Sequence, residues 1–415
     1  MRRRTFLATL PLAAAASASA APDTLIRNPD AGLNRPDVHG GDRIAGESFA
    51  SRSDVWGVHG AAATAHPLAT LTAIDILRAK GSAVDAAIAA NACLGFLEPI
   101  SSGVGGDCFA MVWDPATRKL AGLNGSGRSP RSLSLATQRA RAKNGLIAPF
   151  GAVSVSTPGA VDAWWTLHQR YGRLPWADLF QPAIEMAQAG TPVPQTIAYY
   201  LALSYRVFTK PGKGIEEIDN FKKVWAPDGK MPAEGEVFAN PALAHTYRLI
   251  AGGGREGFYG GEVADVIDAY FKRIGGWLSK ADLAAHHSEW VEPRSASYRG
   301  VADIWALPPN SQGLSTLEIL NILERFDLPA MGFQSPASLH TQVEAKRLAF
   351  EDRARYFADP DFFKAPIDWL ISKDYAAERA RLIRPDRILT PVFAGEAPSH
   401  GDTTYFCVAD SAGMM

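Results

Sequence analysis

Apolar residues recur along the chain at two different periods. In "HPLATLTAIDILRAKGSAVDAAIAANACLGFLEP", Leu68, Leu71, Ile74 and Leu77 return at the spacing of one helix face. Pro67 suits the first helical position and Gly81 the stop, and a second, alanine-rich helix is predicted from about Ser82. Small residues on its surface allow another element to approach closely. "GVGGDCFAMVWDPATRKLAGLNGSGRSP" predicts a glycine loop, a strand over Cys108–Trp113, a turn at Asp114–Thr117 and a returning strand to Asn124. Helical spacing resumes over 161–189 and 241–277, interrupted by Pro and Gly near 171–175 and 252–254. "YRGVADIWALPPNSQG" supplies a strand and a turn, and "STLEILNILERF" and "HTQVEAKRLAFEDRARYF" two more helices.

The last stretch changes character. "ILTPVFAGEAPSHGD" has Pro391, Gly395, Pro398 and Gly401 and no period, which predicts an exposed, mobile linker. Thr403 to Asp410 is apolar on both alternating faces, the pattern of a buried central strand, with Asp410–Gly413 as its turn. The chain contains no fixed-period repeat or low-complexity tract, so the predicted class is α/β, with helices outside a sheet core.

Composition narrows the partners. The 415 residues are 47% hydrophobic and 20% charged with a formal net charge of -1, leaving no electrostatic footprint for nucleic acid or an anionic membrane. The start, "MRRRTFLATLPLAAAASASAAPD", has a basic head, an apolar run too short to span a bilayer and the small-residue site Ala18-Ser19-Ala20. Arg3-Arg4-Thr5-Phe6-Leu7 resembles a twin-arginine export motif, so residues 1–21 read as a signal peptide and the expected location is periplasmic or secreted. The three cysteines, Cys93, Cys108 and Cys407, have neither disulfide nor metal spacing and are expected as free thiols. Gly103-Val104-Gly105-Gly106 precedes a strand and lacks Gly-Lys-Ser/Thr, which argues against a nucleotide loop. His340 and Glu344 share a helix face, but no second histidine has ligand spacing, and no metal is assigned.

Thr403 and Thr404 stand where the linker meets the strand. Threonine is common in strands for its branched Cβ. A threonine hydroxyl becomes a useful nucleophile when a base sits beside it, and the α-amine of an N-terminal threonine, with a pKa of ~7.7–8.0, is such a base. "HGDTTYFCVAD" resembles the processing site of the gamma-glutamyltransferases, N-terminal-nucleophile hydrolases cleaved into a large and a small subunit. "HPLATLTAIDILRAKGSAVDAAIAANACLGFLEPISSGVGGDCF", "STPGAVDAWWTLHQRYGRLPWADLFQPAIEMAQAG", "ALPPNSQGLSTLEILNILERFDL" and "EAKRLAFEDRARYFADPDF" resemble further blocks of that family, in its order, over residues 55 to 410. The resemblance implies a four-layer αββα sandwich, Asp402–Thr403 as the scissile bond, Thr403 as the nucleophile, and a γ-glutamyl amide as acyl donor to water or an amino acid. It implies no cofactor. The partners are a small acyl-amide substrate and the chain's own small subunit.

Two departures from the family accompany the resemblance. A block similar to "DFREMAP" carries an arginine for the substrate's α-carboxylate, whereas "LNGSGRSP" places Ser126 there, with Arg128 nearby as a candidate substrate-binding residue. "NGSGR" is more similar to the branch that includes cephalosporin acylases, so a cephalosporin-acylase-like amidase is the alternative reading. The family's small subunit also continues well beyond the nucleophile. The expected division is therefore 1–21 signal peptide, 22–402 large subunit and 403–415 first strand of a truncated small subunit, with the sandwich incomplete at the C-terminus and an inactive fragment or scaffold as a further alternative.

Overall fold

The computed structural model describes residues 55–142, 144–212 and 214–391, together with the backbone of 407–410. A short strand, Gly60–Ala63 (β1), leads into helix Pro67–Arg78 (α1). Pro67 holds the first helical turn, where its missing N–H costs nothing, and His66 Nδ1 accepts the Leu68 N–H at 3.2 Å. Gly81 passes so close to Ile76 that a Cβ would stand 2.7 Å from that side chain. Ser82 then caps Ala83–Leu97 (α2) reciprocally: its Oγ accepts the Asp85 N–H at 3.0 Å, and the Asp85 carboxylate accepts the Ser82 N–H at 2.9 Å. The same carboxylate accepts the N–H groups of Arg173 and Leu174, fixing the break after helix Ala160–Tyr171 (α3).

The face α1 buries differs from the one its larger residues predict. Ala69, Thr72, Ala73, Ile76 and Leu77 are buried, whereas Leu71 is 52% exposed. Ala69 and Ala73 present so little bulk that α2 packs closely against them, and this contact sets the rotation of α1. Alanines make α2 buried on nearly every side. Around it stand Trp164 of α3, Phe180 before helix Gln181–Ala189 (α4), and Tyr247 of helix Pro241–Gly253 (α5). Their polar atoms are satisfied: Trp164 Nε1 donates to Asn91 Oδ1 at 2.8 Å, and Tyr247 Oη to the Ala92 carbonyl at 2.6 Å.

The expected hairpin is present as Cys108–Asp114 (β2) and Lys119–Gly125 (β3), in register from Cys108↔Gly125 to Asp114↔Lys119. Asp114 holds its turn by accepting the Ala116 N–H and the Thr117 hydroxyl, both at 2.9 Å. Glu289–Val291 (β4) adds to the outer edge of β3, pairing Glu289 with Asn124. Arg294–Tyr298 (β5) and Ala302–Ala306 (β6) form a second hairpin. A turn at Pro308–Gln312 then leads into helix Gly313–Leu323 (α6), followed by Pro336–Tyr356 (α7) and Lys373–Ala380 (α8). These three helices share a smaller core of Ile322, Leu323, Ala345, Leu348, Ala376 and Ala380.

Cys407–Asp410 (β7) pairs antiparallel with β1, from Ala63↔Cys407 to Gly60↔Asp410, and its backbone runs beside α2. The C-terminal strand expected from its two apolar faces is therefore seen over 407–410, while 403–406 lie outside the described residues. From Val58 onward the chain forms one compact unit. Among the described residues its strands make four small antiparallel sheets between helices, a mixed α/β arrangement.

Candidate active site

The pairing of β7 with β1 places Cys407, three residues after Thr404 in the sequence, opposite Ala63. Asp402 and Thr403 themselves, with the linker from 392, lie outside the described residues. The other residues that the sequence singled out, Ser126 and Arg128, lie at the end of β3, where the segment Asn124–Pro130 leaves the sheet.

Ser126 belongs to a closed hydrogen-bond ring. Its N–H donates to Asn124 Oδ1 at 3.0 Å, Asn124 Nδ2 donates to Asn310 Oδ1 at 2.8 Å, and Asn310 Nδ2 donates to Ser126 Oγ at 2.6 Å. The ring joins the exit of β3 to the turn before α6. It offers neutral donors and no charge. Gly127 sits beside it for steric reasons, since a Cβ there would stand 1.5 Å from the Thr157 carbonyl oxygen. Its N–H donates to Asp107 Oδ1 at 3.0 Å, which ties this segment to the glycine loop before β2.

Arg128 is already engaged. Its Nη2 donates to Glu289 Oε1 at 2.7 Å and to Asp361 Oδ2 at 2.9 Å, and its Nε lies 3.9 Å from Asp359. Those carboxylates reinforce its positive charge. Beside it opens a cleft of about 390 Å³, bordered by Arg128, Arg131, Thr157, His286, Asp359 and Phe362. Its floor is braced from α3. Asp162 accepts from Arg255 Nε at 2.5 Å and from the Ser288 N–H at 2.6 Å, and Arg255 also donates to the His286 carbonyl. Burial lowers the His286 pKa, opposed by Asp162, so the ring is neutral near physiological pH.

Sequence reading missed Asn310 and Glu289, and it missed the contact of Asp361 with Arg128. Each sits far along the chain from Arg128 or Ser126, in a turn, an edge strand and a loop with no local chemical pattern. "PPNSQG" and "ADPDF" signalled only a turn and a family block. His340 and Glu344 are spent locally: His340 Nε2 pairs with the Arg384 carbonyl at 2.7 Å, and Glu344 binds Arg347 and the Leu389 N–H. Among the described residues no three of His, Cys, Asp and Glu are grouped to hold a metal ion. Cys93 and Cys108 are free thiols, as expected.

A family model described as gamma-glutamyltranspeptidase matches residues 69–415. The glutathione hydrolase-like YwrD proenzyme of Bacillus subtilis is 33% identical over 84% of this chain and 64% of its own length. The acylase ACY 1 proenzyme of a Pseudomonas species is 33% identical over 86% of this chain and 64% of its own. The chain thus spans less than two thirds of those two curated relatives. Among solved structures, cephalosporin acylase from Bacillus halodurans superposes with a TM-score of 0.77 at 38% identity, covering 90% of this chain and 67% of that one. Helicobacter pylori gamma-glutamyltranspeptidase superposes with a TM-score of 0.73 at 31% identity, covering 82% of this chain and 96% of that one. The expected α/β fold of the N-terminal-nucleophile hydrolases is the one these structures share with it.

Proposed function

The chain belongs to the gamma-glutamyltranspeptidase family, and from that premise we propose that it transfers an acyl group from a γ-glutamyl amide to water or an amino acid, with Thr403 as nucleophile. In the precursor, Thr403 Oγ attacks the Asp402 carbonyl. The peptide C–N bond breaks as a C–O ester forms, the freed Thr403 nitrogen takes up the hydroxyl proton, and water hydrolyses the ester to leave an Asp402 carboxylate. The new α-amine then serves as the base. It accepts the Oγ proton as Oγ attacks the substrate carbonyl, and it returns a proton to the departing amine. Water or an acceptor amine resolves the acyl ester and regenerates the threonine. Residues 22–402 become the large subunit, and 403–415 begin the small one.

The observation carrying this reading is the β1–β7 pairing, which begins at Cys407, three residues after Thr404, within a family match that runs to residue 415. Both curated relatives described above are named proenzymes, which supports processing. The export grammar of residues 1–21 supports a periplasmic or secreted enzyme, and no helix among the described residues is long and apolar enough to cross a membrane.

One observation favours a second reading, an amidase of the cephalosporin-acylase type acting on other acyl amides. Ser126 offers a neutral hydroxyl where the family pattern has arginine, and a substrate carboxylate at Arg128 would share the guanidinium with Glu289 and Asp361, which already hold its Nη2. Losing a charge-assisted contact weakens binding by about 1.5–3 kcal/mol, or roughly ten- to a hundred-fold. Arg128 remains our candidate for a direct substrate contact in the first reading.

Processing is the test. The full-length precursor should split between Asp402 and Thr403, and Thr403→Ala should give one uncut chain without turnover. Thr403→Ser should cut slowly, because its hydroxyl lacks the branched Cβ that restricts the rotamer. N-terminal sequencing of the small fragment reads the outcome. An active enzyme that never cleaves at this bond would remove the mechanism.

A further inference from the structure

Glu318, on α6, is a buried carboxyl that the described residues leave unsatisfied. It is 2% exposed and neither oxygen has a hydrogen-bond partner. Ser315, three residues earlier on the same face, is 4% exposed with its Oγ also unpartnered. Across the interface α7 brings Asp352, itself 5% exposed, and α8 brings Tyr375 and Arg379. Tyr375 Oη donates to Asp352 Oδ1 at 2.8 Å, and Arg379 Nε lies 3.2 Å from Asp352 Oδ2. Arg379 is shared further, with its Nη2 3.6 Å from Glu351. The β5–β6 hairpin on the other side of α6 supplies no countercharge: Arg294 pairs with Asp368, Tyr298 pairs with Arg299, and Asp303 is exposed. One guanidinium thus serves two other carboxylates, and among the described residues an ionised Glu318 would stand beside Asp352 without a partner of its own. Such a group is retained only if it carries a proton or meets an ion.

We propose that Glu318 is a proton-controlled contact: as the neutral acid it lets α6 close on α7 and α8, and on losing its proton it forces α6 away from Asp352. Burial, and then the Asp352 charge, push its carboxyl up to about 8, with Arg379 pulling the other way. Burial raises Asp352 as well. The consequence reaches the candidate site through contacts already described. Gln312, immediately before α6, is gripped by Arg353 of α7, and Asn310 two residues earlier holds Ser126. Loosening α6 slackens the ring. In that last respect the inference rests on the proposed function and adds an alkaline control to it.

The sign of the pH dependence is fixed. An unfolded glutamate titrates near ~4.3, so between there and about 8 the folded state holds a proton that the unfolded state lacks. Stability falls as pH rises through that window, by about tenfold in the folding constant per pH unit, and levels off above it. Glu318→Gln cannot ionise and lacks this slope. Denaturant titrations should therefore show the ratio of folding constants, variant over wild type, growing about tenfold per pH unit from ~5 to about 8 and then reaching a plateau. A ratio independent of pH would overturn the proposal. Should the variant not fold, infrared spectra of the wild type decide: a neutral-carboxyl carbonyl band at pH 7 that vanishes above about 8 supports it, and its absence sinks it. Protection factors for amides 310–323 should drop over the same rise. Saturable stabilisation by sodium or calcium at alkaline pH would show an ion in place of the proton and also overturn it. None of these readings requires turnover, so failure of the acyl-transfer reading would leave this test intact.

Discussion

With its Oγ accepting from Asn310 and its N–H donating to Asn124, Ser126 keeps, among the described residues, one uncommitted donor, the hydroxyl proton. Arg128, two residues on, is held by two carboxylates at hydrogen-bond distance. Under the amidase reading proposed above, the acyl end of a substrate would meet the neutral donors of this ring. Restoring the cation at this position should reverse the preference. Ser126→Arg is expected to raise kcat/KM for a γ-glutamyl anilide by about ten- to a hundred-fold relative to a neutral acyl anilide, the worth of one charge-assisted contact. Parallel kinetics on the two substrates measure the ratio, and an unchanged ratio would remove Ser126 from acyl selection. Asn310 does not replace that charge; its amide supports the hydroxyl from the far side of the ring.

Among the elements, α2 carries the largest share of the packing, and its polar partners show what each contact is worth. Trp164 fills the space beside it and satisfies Asn91, whose Nδ2 in turn donates to Ser102 Oγ at 3.2 Å. Trp164→Phe should lose stability by about 1–3 kcal/mol from the stranded Asn91 acceptor alone, with further loss from the indole volume. Urea unfolding monitored by circular dichroism would show the change as a lower midpoint at constant slope. The helix termini behave more locally. Pro67, Ser82 and Asp85 specify their turns through adjacent residues, which is why those boundaries were readable from sequence.

For the molecule as a whole, burial silences chemistry that the sequence leaves open. Burial pushes the Cys93 thiol up to about 12, and burial with the adjacent Asp107 charge does the same for the half-buried Cys108, so neither forms thiolate at neutral pH. Thiol titration of the folded protein should leave Cys93 unmodified at pH 8, and denaturation should expose all three cysteines. Rapid labelling of Cys93 in the folded state would contradict the packing around α2. Among the described residues the largest apolar cluster lies around α2, and a smaller one lies among α6, α7 and α8. The smaller contains the Glu318 contact, so the whole protein's alkaline limit is expected there first.

Local pattern alone determined the α1–α2 boundaries, the β2–β3 hairpin and its Asp114 turn, because each depends on residues within a few positions of one another. The threonine pair after a periodless linker was legible as chemistry only through its resemblance to a family, since Thr-Thr before a strand is physically ordinary. Tertiary packing decided the rest. Ala69 and Ala73 outcompeted Leu71 for the buried face of α1 because close helix approach favours small side chains over large ones. Asn310 reached Ser126, and Glu289 and Asp361 reached Arg128, across sequence separations of 184, 161 and 233 residues. No periodicity reports such pairings, because they arise where a turn, an edge strand and a loop are brought together by helices that bury their own apolar faces elsewhere.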